Sequence, residues 1–201
     1  MREDLRLSTV ECPPPSRAEL RRHNIKAVAR RLFVEHGFHS TGIALIARES
    51  GVAVQQLYRD FPSKEDIIAA IVEADCKKFA DLATLERALA ARNRDGIMIW
   101  LTSATCRQEK AGDRLFLEIA AEASRNQRIS AIFSDVRKTM SENISRAFAG
   151  LAASNFVSAE HRLLAEAFMI VSIGSVCTEA LHGGNVAAAS EKLIRCLIEN
   201  A

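Results

Sequence analysis

The sequence predicts an all-α protein of about nine helices, in which an N-terminal three-helix unit with a helix-turn-helix precedes a larger helical domain. Apolar residues recur at helical spacing through most of the 201 residues, and strand-like alternation never lasts beyond a few positions. The composition agrees, because 48% hydrophobic and 26% charged residues are ordinary for a folded globular chain. We expect a flexible arm over 1–15, a head domain over 16–79 and a helical domain over 80–201.

The helix-turn-helix occupies the stretch 41–64. Ile46 lies on the apolar side of a first short helix, and Leu57 lies on the apolar edge of a second one. Between them, Gly51 suits the left-handed backbone that ends a helix. Two short helices joined by a glycine turn, here over about 42–61, form a motif whose second helix can enter the major groove of DNA.

Capping boxes mark the two helices that flank this motif. Ser16 with Glu19 three residues later opens a helix that is expected to run to about His36. Ser63 followed by Asp66 opens a long helix in the same way. The head domain is therefore expected to begin and end with helices longer than the two inside it.

Beyond about Leu85 the pattern predicts a series of amphipathic helices with short breaks at 92–96 and 110–112. The expected helices cover residues 97–108, 113–124, 127–150, 158–182 and 186–199.

Charge divides unevenly along the chain, whose net formal charge is +2. Up to Lys64 there are eleven Lys and Arg against seven Asp and Glu, whereas the remainder has sixteen against eighteen. A small basic excess therefore accompanies the helix-turn-helix, as phosphate binding requires.

The cysteines and the N-terminus predict a cytoplasmic protein. Five cysteines lie far apart without metal-ligand spacing, which favours free thiols in a reducing compartment. No uninterrupted apolar run reaches the roughly 18 residues that span a bilayer. Residues 1–15 carry charges where a signal peptide has its apolar middle. We expect no membrane, no cofactor and no metal. The cysteines are Cys12, Cys76, Cys106, Cys177 and Cys196.

A set of residues at fixed spacing runs through the head over about residues 19–79. Its members are Ala29, Leu32-Phe33, Gly37-Phe38, Thr41, Ile46-Ala47, Gly51-Val52, Leu57-Tyr58, Phe61 and Ser63-Lys64-Glu65. In this register the head resembles the TetR (tetracycline-repressor-like) family of transcriptional regulators. The resemblance implies an all-helical homodimer that binds a palindromic operator in double-stranded DNA, usually as a repressor. It also implies release of the DNA when an effector, here an unknown small molecule, enters the helical domain.

Matching residues to the family pattern assigns the contacts to DNA. The resemblance puts base readers on the recognition helix (about 53–60) and phosphate contacts at its tyrosine and at the start of the following helix. Arg59 is expected to read guanine or hold a phosphate, and the N-terminal end of a helix favours an anion at Lys64. The expected DNA-binding residues are Thr41, Gly42, Gln55, Gln56, Tyr58, Arg59 and Lys64.

Three positions depart from the family pattern. Ala53 replaces the Ser or Thr that caps the recognition helix, a change that costs about 1 kcal/mol of helix stability. Gly42 replaces a second hydroxyl residue. Asp60 has the wrong charge for DNA, so we expect it to face its own protein, beside Arg59 or Arg48.

The helical domain offers two further predictions. One residue set suits a small, mostly apolar effector or an ordinary core, with core the more common role for each member. The candidate pocket residues are Trp100, Ser103, Phe116, Met140, Phe168, Met169 and Ser172. The last two helices are expected to pack against their copies in a homodimer. The candidate interface residues are Leu164, Phe168, Val171, Ser175, Thr178, Ala188 and Leu193.

Nothing in the sequence predicts an enzyme, because no nucleophile has a base and an orienting group. The five histidines are expected at the surface or at helix caps, and Glu118 and Glu122 near Arg125 are expected to form ion pairs within one helix. Ala53 and Asp60 keep one alternative open: a helical ligand-sensing or partner-binding protein whose head no longer reads DNA.

Overall fold

The computed structural model describes residues 14–79, 81–103, 110–182 and 186–199, and within them the chain forms ten α-helices. The all-α prediction is confirmed. The helices are α1 (Arg17–His36), α2 (Ile43–Glu49), α3 (Val54–Asp60), α4 (Lys64–Phe79), α5 (Leu82–Ala90), α6 (Arg94–Ser103), α7 (Lys110–Ala123), α8 (Gln127–Leu151), α9 (Ala159–His182) and α10 (Val186–Glu199).

The predicted capping box opens α1. The Glu19 N–H donates to Ser16 Oγ at 3.2 Å, and the Ser16 N–H donates to Glu19 Oε2 at 2.6 Å. Two of the N–H groups that a helix start leaves unpaired are thereby satisfied. Gly37 ends α1 with a φ of 79°, and its N–H donates to the Phe33 carbonyl. Glycine adopts this conformation at little cost.

The described chain has one helix more than expected because Asp81 starts a new helix, α5. Its carboxylate accepts the Thr84 N–H at 3.2 Å, and hydrogen bonds from Thr84 lower the pKa of Asp81. Its carbonyl accepts the Trp100 Nε1–H at 3.2 Å, which ties the start of α5 to α6. The break expected at 110–112 is wrong, since α7 already begins at Lys110 and continues through Gly112.

The first hydrophobic core combines the head with the helical domain. Helices α1 to α4 supply most of its side chains, but Leu115 and Ile119 of α7 and Ile129 of α8 are buried in the same cluster. The head therefore completes its core with residues far along the chain. The division at residue 79 stays a prediction, since this core crosses it.

The second core lies among α5, α6, α8, α9 and α10. Phe148 and Phe168 meet edge to face, with ring centroids 6.2 Å apart. Gly150 lets α8 approach α5 closely, because a Cβ at this position would overlap the Leu89 side chain. Helix α8 contributes Ile129 to the first core and Phe148 to the second, so it links the two ends of the molecule.

Helix α9 corrects one expectation about membranes. Residues Ala159–Leu181 are long and apolar enough to cross a bilayer by length and composition, yet only 17% of the most apolar window is buried within the protomer. An uninterrupted apolar run is absent from this helix because Ser172, Gly174 and Ser175 interrupt it, although its mean hydropathy stays high. Part of α9 therefore presents apolar side chains to solvent in the protomer.

Candidate nucleic-acid interface

The helix-turn-helix forms as predicted from α2, a glycine turn and α3. Gly51 has a φ of 69°, and its N–H donates to the Arg48 carbonyl at 3.2 Å. The Val52 N–H donates to the Ala47 carbonyl at 3.0 Å. From α1, Asn24 Nδ2 donates to the Ser50 carbonyl at 2.9 Å. The turn is thus fixed both by its own backbone and by the first helix.

Helix α3 has one buried face and one open face. Leu57 is fully buried in the head core. Gln55 and Arg59 are four residues apart on the opposite side and are exposed, and Tyr58 beside them is 50% exposed. A helix that presents a glutamine, a tyrosine and an arginine to solvent has the side chains that read base edges and bind phosphates.

The start of α3 lacks a side-chain cap. Ala53 is the N-cap residue, and its side chain makes no hydrogen bond to the backbone. The sequence expectation is confirmed at this position. The first N–H groups of α3 therefore depend on solvent or on a bound group.

Asp60 faces its own protein, as expected, but its partners come from α1. Arg21 donates from Nε to Oδ2 at 2.6 Å and from Nη2 to Oδ1 at 3.0 Å, and Arg22 donates to the Asp60 carbonyl. The pairing expected with Arg59 or Arg48 is wrong, because α1 runs past the C-terminal end of α3 and Arg48 pairs with Glu49. The hydrogen bond from Arg21 holds the pKa of Asp60 below its usual value.

The two glutamines of α3 differ in their surroundings. Gln56 is half-buried, and its Nε2 lies 3.4 Å from Asp60 Oδ2. Gln55 is exposed and makes no side-chain hydrogen bond within the described part of the chain. Both remain predicted DNA contacts, but Gln55 alone has its whole amide available.

Thr41 lies inside the head. It is fully buried, and its Oγ1 approaches the carbonyl oxygens of Gly37 at 2.8 Å and Leu32 at 3.2 Å. The Thr41 hydroxyl therefore joins the end of α1 to the start of α2, and the expected DNA contact at this position stays a prediction. Neither Thr41 nor Ser40 caps α2, because the N-cap residue is the exposed Gly42 without a side-chain hydrogen bond.

Lys64 is half-buried at the start of α4. Its Nζ donates to the Phe38 carbonyl at 2.6 Å and lies 4.1 Å from the centre of the Phe38 ring. Burial lowers the pKa of Lys64, while Glu65 and Glu122 act in the opposite direction. An ammonium group has three donors, so a phosphate contact is compatible with this position and stays a prediction.

The first turn of α4 is also tied to the helical domain. Arg128 of α8 donates to Ser63 Oγ at 3.1 Å and pairs with Asp66, and Asn126 Nδ2 donates to Glu65 Oε1 at 3.2 Å. More than sixty residues separate these partners, so no local pattern predicts them. Only Arg128 itself hints at these contacts in the sequence, because a cation in the first turn of a helix is unfavourable unless an acidic group pairs with it.

One expected ion pair and one expected cap are present in the described part of the helical domain. Buried Glu122 pairs with Arg125 at 3.2 Å, although Arg125 lies two residues beyond the end of α7. The His161 N–H donates to Ser158 Oγ at 3.2 Å, and His161 Nδ1 accepts the Ser158 N–H at 3.0 Å. This histidine therefore caps α9. Among the described residues there is no group of three His, Cys, Asp or Glu that could hold a metal ion.

The candidate pocket residues do not share one environment. Trp100 and Phe168 are buried in the second core, with Met140 and Met169 packed against it. Phe116 instead stacks on Phe133, with ring centroids 5.4 Å apart. Ser103 and Ser172 donate to carbonyls of their own helices, those of Trp100 and Phe168. The pocket stays a prediction, and residues 104–109 beside Ser103 lie outside the described part.

The candidate interface residues fall into two environments, and the interface stays a prediction. Phe168 is buried, and Leu164 and Val171 pack against the same core. Ser175 donates to the Val171 carbonyl and contacts Ser190 of α10. Thr178, Ala188 and Leu193 are exposed, as an interface requires. The exposed large side chains that sequence reasoning missed on α9 are Leu163, Ile170 and Leu181.

These features define an all-α helix-turn-helix protein whose recognition helix is open to solvent. The sequence model described as "Bacterial regulatory proteins, tetR family" matches residues 25–71, from α1 into α4. The HTH-type transcriptional regulator UidR of Escherichia coli (strain K12) is 31% identical over 138 residues, which are 64% of this chain and 65% of UidR. The head of this chain, over residues 25–71, thus matches the TetR family, and the relative UidR is itself a transcriptional regulator.

Solved structures extend the likeness to the whole fold. GusR of Salmonella enterica has a TM-score of 0.67 at 24% identity, over 92% of this chain and 98% of GusR. A transcriptional regulator of Saccharomonospora viridis, solved in complex with choline, has a TM-score of 0.66 at 19% identity, over 89% of this chain and 95% of that one. At these identities the likeness shows the fold, and the match to UidR spans less than two thirds of that protein.

Proposed function

We propose that this chain is a sequence-specific DNA-binding transcriptional regulator, a homodimer that represses from a palindromic operator and is released by a small molecule. The observation that carries the proposal is the exposed face of α3. Gln55 and Arg59 lie opposite buried Leu57, with exposed Tyr58 beside them, on a helix that α1 and α2 hold in a helix-turn-helix. The matches to the TetR family and to UidR support this function.

In the proposed complex α3 lies in the major groove. Gln55 is the principal base reader, because a glutamine amide can pair with adenine N6 and N7. Arg59 and Tyr58 bind phosphates or a guanine at the rim of the groove, and Lys64 approaches a phosphate from the start of α4. Two such heads reach successive grooves about one helical turn apart, which explains a palindromic operator.

Dimerisation through α9 and α10 would cover the apolar surface that the protomer leaves open. Leu163, Ile170 and Leu181 of α9 are 71%, 67% and 73% exposed, and Leu193 of α10 is 55% exposed. The α9 residues are seven and eleven positions apart and therefore follow one side of the helix. A second copy supplies the same stripe, so a two-fold axis makes the surface self-complementary. A second copy that covers the apolar surface of α9 removes the need for a membrane around this helix. We therefore expect the protein in the cytoplasm.

The effector would act through two links between the domains. Helix α4 joins them along the chain, and Asn126 and Arg128 hold its first turn from α8. Helix α8 also lines the second core, where the candidate pocket residues Trp100, Met140 and Phe168 meet. A small molecule that shifts α8 there would move α4 and change the spacing of the two heads. The choline complex of the Saccharomonospora viridis regulator is a precedent for such a ligand in this fold.

DNA selection tests the function directly. Duplexes enriched from a random library by the purified protein are compared with a shuffled duplex by fluorescence anisotropy at several salt concentrations. We expect the selected duplex to bind at least about 1,000-fold more tightly, with an affinity that falls steeply as salt rises. Equal affinity for the two duplexes would refute a sequence-specific regulator.

A pair of variants locates the reading helix. Gln55→Ala removes the proposed base contact and should weaken binding to the selected duplex by roughly 5- to 150-fold. Gln127→Ala changes an exposed glutamine at the start of α8, far along the chain from α3, and should leave the affinity unchanged. Loss of binding in both variants would mean that the effect is not specific to α3.

A further inference from the structure

Helix α3 ends in a carboxylate, that of Asp60, at a position where two electrostatic effects make a negative charge unfavourable. The last turn of a helix is already negative, and the groove that α3 would enter is lined by phosphates. Asp60 nevertheless has a side chain only 9% exposed, because Arg21 binds both carboxylate oxygens. Arg22 donates to the Asp60 carbonyl and lies 4.2 Å from the centre of the Phe61 ring. Two arginines of α1 thus neutralise this end of α3.

The same carboxylate also reaches into the reading face. Gln56 lies one turn before Asp60, and its Nε2 is 3.4 Å from Oδ2, the oxygen that Arg21 Nε approaches at 2.6 Å. This contact draws the Gln56 amide towards α1. Gln55, about 100° further around the helix, points away from that contact and is exposed. Asp60 therefore holds the side chain of Gln56 and leaves that of the adjacent Gln55 exposed.

We propose that Asp60 is a positioning residue that sets DNA specificity by holding Gln56 and Arg21 against the protein. Base reading then falls to Gln55, and Arg21 is withheld from the phosphates near the start of α1. The inference rests on the DNA-reading function proposed above. It adds that Gln55 reads bases, that Gln56 does not, and that the contact with Asp60 causes this difference.

The physical consequence concerns specificity more than affinity. An arginine freed beside the groove adds a phosphate contact that is the same for every sequence, and each such contact steepens the salt dependence by about 0.9 in log–log slope. A freed Gln56 can pair with bases that the intact head does not read. Removing the negative charge of Asp60 should therefore strengthen binding to the wrong DNA.

The decisive variant is Asp60→Ala, tested against the selected and the shuffled duplex. We expect affinity for the shuffled duplex to rise by at least about threefold, with a salt slope steeper by about one. The ratio of the two affinities should fall by a similar factor. Asp135→Ala, at an exposed aspartate within α8, removes the same charge far from α3 along the chain and should change neither the ratio nor the slope.

A double variant separates the freed arginine from the lost charge. In Asp60→Ala with Arg21→Ala, the carboxylate is still absent but no arginine can turn to the DNA. We expect the gain on the shuffled duplex and the steeper slope to disappear. If the double variant behaves like Asp60→Ala alone, the lost negative charge acts by itself and Arg21 has no part.

Two single variants test the other half of the proposal and do not depend on removing Asp60. Gln55→Ala should lower the affinity ratio by roughly tenfold or more, whereas Gln56→Ala should lower it by less than about threefold. Equal losses would overturn the proposal, as would an unchanged ratio in a folded Asp60→Ala protein. The wild-type protein is measured first, and the contrary outcome there is equal affinity for the selected and the shuffled duplex. That result refutes the DNA-reading function itself, and the role of Asp60 with it.

Discussion

The head and the α9–α10 end of this protomer differ in what they leave unpartnered. In the head the large apolar side chains are mostly buried, polar groups such as Thr41 and Asp60 are paired internally, and α3 presents a polar face to solvent. At the other end Leu163, Ile170 and Leu181 are exposed. Each region thus suits the partner proposed for it, a polyanion for the polar face and a second copy of the chain for the apolar one.

The largest effect is expected from a charge in the apolar stripe. Ile170→Glu would bury an unpaired carboxylate in the dimer, which costs about 3–5 kcal/mol and occurs twice across a two-fold axis. We expect a monomer at micromolar concentration and loss of tight operator binding. Light scattering after size-exclusion chromatography measures the mass.

Ile99→Glu is the matched control for that experiment. Ile99 of α6 is also a large exposed aliphatic residue, but it lies outside α9 and α10. The control should keep the mass of the wild type. If Ile170→Glu still forms dimers, the apolar stripe is not the interface.

Thr41 should matter for stability and not for DNA contact. Thr41→Val keeps the shape of the side chain but removes a buried hydroxyl from the Gly37 and Leu32 carbonyls, which should lower the free energy of unfolding by about 1–3 kcal/mol. Urea unfolding measures this loss. Thr41→Ser retains the hydroxyl and should lose less. A Thr41→Val protein of normal stability that binds DNA weakly would restore Thr41 as a contact residue.

The Asp60 pair should make stability depend on acid pH. Because the pKa of Asp60 is lower in the folded protein than its usual value, the pair stabilises the fold at neutral pH. This stabilisation is lost as the pH falls below about 4, the pKa of an aspartate in the unfolded chain, and through the lower folded pKa. The difference in unfolding free energy between the wild type and Asp60→Asn should shrink over that range. A difference independent of pH would show that the pair does not contribute.

The smallest effect is expected at the link from α8 to α4. Exposed ion pairs contribute about 0–1 kcal/mol, so Arg128→Ala should barely change global stability. It should instead speed hydrogen exchange at the amides of the first turn of α4. Arg137→Ala removes a comparable exposed pair with Glu166, which joins α8 to α9, and serves as the control. Equal exchange at α4 in both variants would mean that Arg128 does not hold this turn.

The fold and the reading helix could be predicted from the sequence because their signals are local. The Ser16 cap, the Gly51 turn and the spacing around Leu57 each lie within a few residues of what they determine. The same holds for Ala53, whose missing cap is a property of one side chain.

Long-range contacts account for the rest. The Arg21–Asp60 pair joins residues 39 positions apart and Arg128–Asp66 joins residues 62 apart, so no sequence window contains both partners. The exposed apolar residues of α9 could not be picked out for a different reason. That helix is apolar on both sides, and Phe168 and Ile170 cannot be assigned to core or surface until the neighbouring helices are placed.

Footprinting on the DNA upstream of the gene for this protein, with the mass of the complex measured in parallel, tests the central claim most directly. A dimeric reader predicts two protected half-sites whose centres lie about 10 base pairs apart, or a multiple of that distance, occupied by an even number of protomers. The protein concentration that gives half-maximal protection should rise by roughly 5- to 150-fold in Gln55→Ala and stay unchanged in Gln127→Ala. A single half-site bound by one protomer would contradict the account.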